Sequence, residues 1–235
     1  MGKPDIIYED NDIIVCYKPA GIATQTRRIG QQDMESFIRN YRADKNEPPY
    51  VGIVHRLDQP VEGVMVFAKN QKAAASLSRQ IKEHTTEKYY RAASRGQGVS
   101  GADKEEDNHD PAWHTLTDYI SFDKRTNTSK ITSEKDRLAK KAVLQYRILS
   151  NECNKTEFDI KLLTGRHHQI RLQLANIGYP LIGDTKYGKT ASNNSGTGSK
   201  SGRTGFGVRE QLALCSYKLV FDHPATGERM TFELP

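Results

Sequence analysis

The chain has 235 residues and carries 35 Lys and Arg against 29 Asp and Glu, a formal net charge of +6. That length suffices for one large domain or two small ones, which need neither disulfides nor a structural metal to fold. No apolar run approaches the ~18 residues of a membrane span, and Met1-Gly2-Lys3-Pro4-Asp5 lacks a signal-peptide core, so no membrane partner is expected.

The three cysteines, Cys16, Cys153 and Cys215, lie far apart and form no Cys-x-x-Cys pair, the pattern of reduced thiols in a cytoplasmic protein. The basic balance favours a polyanionic partner, although a modest excess of Lys and Arg is also common on surfaces that bind nothing.

In chain order, Ile6-Ile7-Tyr8, a polar turn and Ile13 to Tyr17 read as a β-hairpin, closed by Lys18-Pro19-Ala20-Gly21. Asp33 is placed to cap a helix with Met34, Phe37, Ile38 and Tyr41 on one side. Ile53 and Val54 open an extended segment, Gln59-Pro60 breaks it, and Val64 to Ala68 suits a strand buried on both faces. Asn70 is an N-cap for a helix lined by Ala74, Leu77, Ser78 and Ile81. Strands are predicted at Tyr89 to Ala93, His114 to Phe122, Ala142 to Leu149, Thr156 to Leu163, Leu212 to Phe221 and Met230 to Leu234, with basic turns at Lys124-Arg125 and Lys140-Lys141.

Residues 166–177 return to helical spacing, with Ile170, Leu174 and Ile177 on one side and Gly178 after them. Two polar, Gly-containing stretches, 96–111 and 192–207, read as flexible loops. The second is basic, which suits an RNA contact or a merely solvated loop. A meander of this kind implies an α+β fold, a mainly antiparallel mixed sheet with a few helices.

Two clusters carry chemistry. In His55-Arg56-Leu57-Asp58 the alternation of a strand puts Val54, Arg56 and Asp58 on one face and Ile53, His55 and Leu57 on the other. Arg56 and Asp58 are then either a structural ion pair capping the sheet or a reactive carboxylate with a cation beside it. In Thr164-Gly165-Arg166-His167-His168-Gln169-Ile170-Arg171 a strand runs into a helix whose N-terminus, with Arg166, attracts anions. His168 and Arg171 share a helical face, so Arg171 could reach a carboxylate on the sheet; a solvated basic helix start is the alternative. Neither His55-x-x-Asp58 nor His167-His168 has a metal-ligand pattern, so no metal is expected.

These residues resemble the RluA-type pseudouridine synthases. Tyr8-Glu9-Asp10 with Val15-x-x-Lys18-Pro19-Ala20-Gly21 is similar to their N-terminal motif. His55-Arg56-Leu57-Asp58 with Gly63 and Phe67-Ala68-Lys69 is similar to their signature, and Lys88-Tyr89-Tyr90 to their Lys-x-Tyr motif. Thr164-Gly165-Arg166-x-His168-Gln169-Ile170-Arg171, Gly178-x-Pro180-Leu181-Ile182-Gly183-Asp184 and Tyr187-Gly188 resemble the third block, and Leu212-Ala213-Leu214 with His223-Pro224 the closing one.

The resemblance implies a bent, mainly antiparallel sheet flanked by helices, with two half-sheets around a central cleft in a single catalytic domain over residues 1–235. It implies a uridine isomerase acting on ribosomal or transfer RNA, with no cofactor. Asp58 matches the catalytic aspartate, which detaches the base from ribose C1′ either through a covalent bond or by removing a ribose proton. Arg56 matches the arginine filling the space of the flipped nucleotide and Tyr90 the tyrosine stacked near the base. Arg171 matches the arginine paired with the aspartate, and Ile170 packs on the other side of the base. Arg166 and His168 fall in the same substrate-binding block.

Extruding a uridine costs on the order of a few kcal/mol, which Arg56 insertion and Tyr90 stacking could offset. Tyr90 is otherwise an ordinary packed strand tyrosine. Val61-Glu62 departs from the Thr-Ser frequent in the family, His167 stands where Thr is frequent, and Cys215 where His is. The small N-terminal RNA-binding domain carried by many relatives is not expected in these 235 residues, so the catalytic domain is expected to supply RNA affinity itself, as a monomer. Two other functions share these features: an RNA-binding protein on the same fold that has lost chemistry, and a metal-dependent phosphoesterase.

Overall fold

The computed structural model describes residues 4–26, 28, 30–95, 112–152, 154–188 and 210–235. The predicted loops at 96–111 and 192–207 lie outside the described residues, as does Cys153. In chain order the elements are β1 (Asp5–Glu9), β2 (Ile13–Lys18), α1 (Met34–Asp44), β3 (Gly52–Ile53), β4 (Glu62–Ala68), α2 (Gln71–Lys82) and β5 (Glu87–Arg95). β6 (His114–Asp123), β7 (Thr128–Thr132), β8 (Lys140–Glu152), β9 (Lys155–Leu162), α3 (Gln169–Asn176), β10 (Leu214–Asp222) and β11 (Arg229–Glu233) follow. The fold class is α+β as expected: a mixed, mostly antiparallel sheet with three helices among the described residues.

The chain divides into two compact units. The first holds residues up to Arg91, Ile160–Thr164 and Leu214–Pro235. Here β2 runs antiparallel to β4 and to β1, while β10 pairs with β4 in parallel and with β11 in antiparallel fashion. Ile13 to Cys16 and Val64 to Ala68 are buried at every position, so both faces of the β2–β4 pair are covered. One face packs Ile13, Val15, Val64 and Val66 against Ala73 and Leu77 of α2 and Leu219 and Phe221 of β10.

Both caps foreseen in this unit are present. Asp33 and Ser36 form a reciprocal capping box on α1, and Asn70 caps α2 through the Ala73 N–H. The buried stripe of α2 is Ala73, Leu77 and Gln80 rather than one through Ser78, which is exposed. Gln80 is drawn inward because its amide bonds both the N–H and the C=O of Asp222 on β10. Gly63 has φ +136°, and a Cβ there would sit 2.2 Å from the Ser216 carbonyl, so the β4–β10 approach requires glycine.

The second unit holds Ala92–Asp159 and Gly165–Ala213. β6 pairs antiparallel with both β7 and β8. β7 was not anticipated, because Thr128-Ser129-Lys130-Ile131-Thr132 has too few apolar residues to stand out; it forms as the return arm of a hairpin on β6. Helix α3 starts at Gln169 rather than 166, since His168 adopts left-handed backbone (φ 55°). Its surroundings also differ from a basic solvated helix start: Gln169, Ile170, Arg171, Gln173 and Leu174 are all buried. The polar members are satisfied in sequence, Gln169 donating to Gln173 and Gln173 to Asp118.

Candidate active site

The segment carrying Asp58 is not a strand. Residues 54–61 are irregular backbone between β3 and β4, so the alternating faces expected for 54–58 do not apply. Side chains set its conformation instead. Thr24 Oγ1 donates to the Leu57 carbonyl (2.9 Å) and accepts from the Leu57 N–H (3.1 Å), and His55 Nε2 accepts from the Val66 N–H (3.1 Å). After Asp58, the Gln59 carbonyl accepts from the Gly21 N–H (2.8 Å), and the Val61 N–H closes a turn on the Asp58 carbonyl (3.0 Å).

Lys18 completes this clamp. It is 0% exposed at the end of β2, and its ammonium donates to the carbonyls of Pro19 (3.1 Å), Ile22 (2.6 Å) and Gln59 (3.2 Å). The backbone is therefore fixed on both sides of Asp58 by polar groups that nothing in the local propensity would order.

The electrostatics of this half centre on the same carboxylate. Burial brings the Lys18 ammonium down to about 8, while the charges of Asp58 and Glu62 hold it up. Tyr90, 6% exposed on β5, has its phenol raised above the ordinary range by burial and further by Asp58, against a hydrogen bond with Ser216. It stays protonated throughout the neutral range. Burial also keeps His55 neutral, its imidazole lowered to about 3. Asp58, Lys18 and Tyr90 are thus brought together. Arg56 is exposed and donates to Gln25 Oε1 (2.9 Å).

The unusual Glu62 lies in the same cluster: Tyr17 donates to its carboxylate (2.9 Å), and burial with this bond raises the Tyr17 phenol to about 12. Glu62 is opposite Cys215 in the β4–β10 register.

In the second unit, Arg171 is 4% exposed and binds Asp184 through two parallel hydrogen bonds, Nε to Oδ2 and Nη2 to Oδ1, each 2.8 Å. Burial alone would raise the Asp184 carboxyl, but Arg171 and the N–H groups of Lys186 and Tyr187 hold it below its ordinary range. The Arg171 guanidinium also lies over the Tyr187 ring at 5.4 Å, and Tyr187 Oη is paired with His168 Nδ1 at 2.9 Å. Desolvation, then the charge of Arg171, lowers His168 to about 3, so this ring is neutral. Ile170 is buried, and Arg166 donates from Nε to the Lys141 carbonyl (2.9 Å).

A geometric cation cluster, Asp10, Asp12 and His223, does not fit an ion. His223 Nδ1 accepts from the N–H groups of Ala225 and Thr226, which puts the ring proton on Nε2, where it donates to Asp10 (2.8 Å). The group is a structural clasp between the β1–β2 turn and the turn after β10.

The family profile described as RNA pseudouridylate synthase matches residues 12–176, which include Asp58, Tyr90 and Arg171. The chain belongs to the RNA pseudouridylate synthase family. It is 32% identical to the ribosomal large subunit pseudouridine synthase D of Vibrio parahaemolyticus over 98% of this chain and 66% of that one. It is 31% identical to the protein of the same name from Neisseria meningitidis, over 98% and 58%. The chain therefore spans about 58 to 66% of the length of these curated relatives. Among solved structures, the human RNA pseudouridylate synthase domain containing 4 superposes with a TM-score of 0.70 at 20% identity, over 98% of this chain and 88% of that one, a likeness of fold.

Within this pseudouridylate synthase frame, three contributors escaped the sequence reading. Lys18 and Asp184 were visible only as motif letters: the Gln59 carbonyl is distant from Lys18 in the chain, and Arg171 was read toward Asp58 rather than toward Asp184. Thr24 carried no signal at all, being an isolated threonine in a loop.

Proposed function

We propose that this chain is an RNA pseudouridine synthase, a cytoplasmic monomer whose residues 1–235 act as one catalytic domain on uridines of ribosomal or transfer RNA. The relatives named for the large ribosomal subunit favour ribosomal RNA. The observation that carries the reading is Asp58: a carboxylate on a segment clamped by Thr24 and Lys18, beside a buried, protonated tyrosine.

The chemistry suits those groups. The carboxylate acts on the nucleoside, the N1–C1′ bond breaks, the base turns, and C5 bonds to C1′. C5 loses its proton and N1 gains one, so the reaction is an isomerisation that needs no co-reactant. A rigid carboxylate is positioned for this without reorganisation, and the neutral phenol of Tyr90 offers a stacking face rather than a base. Arg56, exposed on a short polar tether to Gln25, is free of burial cost to enter an RNA helix in place of the extruded nucleotide. Ile170, Arg166 and His168 are the proposed RNA contacts of the second unit, and Arg171 keeps its proposed role toward the catalytic carboxylate.

Mapping pseudouridine across total RNA from cells with and without the gene tests this reading. Loss of one or a few sites, restored by the wild-type gene, is expected. An unchanged map contradicts it.

A further inference from the structure

The hairpin of β6 and β7, with the turn before α3, encloses a cavity of about 810 Å³ whose lining lies entirely in the second unit. That volume is within the range of small-molecule and nucleotide pockets. Its lining includes four cationic side chains, Lys124, Lys130, Lys140 and Arg166, and a ring pair, Phe122 and His167, with centroids 4.3 Å apart. Phe122 is 39% exposed, and His167 is steadied by Ser129 Oγ at 3.0 Å from its Nδ1.

Two carboxylates also line the cavity, but both are engaged in turns. Asp123 accepts from the Arg125 N–H (2.8 Å), and Asp136 accepts from the Leu138 N–H (2.9 Å) and Thr132 Oγ1 (3.1 Å). Both are held below the ordinary carboxylate range, chiefly by those backbone bonds, with Lys130 contributing. Lys124, Lys130 and Lys140 form no ion pair at salt-bridge distance among the described residues. An aromatic floor of exposed Phe122 and half-buried His167, ringed by lysines outside salt-bridge distance of any carboxylate among the described residues, is complementary to a nucleotide: a ring to stack and phosphates to neutralise.

We propose that this cavity docks one unstacked nucleotide of single-stranded RNA, its base on the Phe122–His167 pair and its flanking phosphates on Lys124, Lys130 and Lys140. The inference rests on RNA being the substrate and identifies where a nucleotide other than the target uridine is held.

The test measures binding of a fluorescein-labelled, single-stranded heptamer of RNA to the full chain as salt is varied, with pseudouridine formation in total RNA assayed in parallel. Phe122→Ala is expected to weaken binding about tenfold with an unchanged salt slope, the signature of lost stacking. Lys130→Gln is expected to reduce the log-log salt slope by about 0.7, one phosphate contact. Both side chains are exposed, so neither change threatens the fold.

If both variants bind with wild-type affinity and slope while the wild type modifies RNA, the cavity proposal fails and the enzymatic reading stands. If the two variants differ from wild type in these ways but the wild type modifies no RNA, the cavity proposal stands and the enzymatic reading fails.

Discussion

The ammonium of Lys18, fully buried, donates to the carbonyl of Gln59 at 3.2 Å, one residue beyond Asp58. Three carbonyls share this one cation, so its replacement takes a donor from each and leaves Gln59 with the Gly21 N–H alone. Lys18→Met should cost about 1–3 kcal/mol in urea unfolding and lower kcat more than KM, because the clamp acts on Asp58 rather than on RNA. A variant with wild-type kcat would show that the clamp is dispensable.

Lys18 loses its proton near pH 8, removing the positive charge beside Asp58 and Glu62. The rate should therefore decline as pH rises through about 8. Glu62 is one of the charges holding that value up, so Glu62→Gln should move the alkaline limb to lower pH. A limb that stays in place in rate profiles of the two proteins would separate Glu62 from the active cluster.

Arg171 and Asp184 form a bidentate pair buried in the second unit. Asp184→Asn retains the shape but removes the charge that offsets the buried guanidinium. A loss of about 3 kcal/mol or more in chemical denaturation is expected, with activity falling alongside it.

Glu9 accepts from Lys45, Lys69 and Tyr41, and although burial alone would raise its carboxyl, these bonds lower it to about 2. A carboxyl depressed in the folded state contributes stability that is present above its unfolded value of 4.5 and is lost as pH falls toward 2. The shift corresponds to roughly 3 kcal/mol at most, less after solvent screening. Glu9→Gln should therefore flatten the acid limb of thermal stability between about pH 4.5 and 2.

The elements that sequence reading located well are those whose periodicity reflects burial: the β1–β2 hairpin, β4, and the caps Asp33 and Asn70. It was least accurate where polar side chains order the backbone. Residues 54–58 alternate like a strand, yet they are irregular chain, held by Thr24 at Leu57, by the bond from the Val66 N–H to His55, and by Lys18 at the adjoining Gln59 carbonyl. Gln80 was not among the residues expected to line α2, yet its bonds to Asp222 make its burial favourable; Arg171 was expected to reach a carboxylate, and within its own unit it is held by Asp184. For the site, the residue types at Asp58, Arg56, Tyr90 and Arg171 came through the family resemblance. The clamp that fixes Asp58 joins positions distant in sequence and leaves no local pattern.

The most direct measurement is tritium release from RNA labelled at uridine C5, comparing wild type with Asp58→Asn after circular dichroism has shown equal folding. Attachment of C5 to C1′ expels the label, so release by the wild type and none above background by the variant is predicted. Release by Asp58→Asn at the wild-type rate would contradict the assignment of the chemistry to this carboxylate.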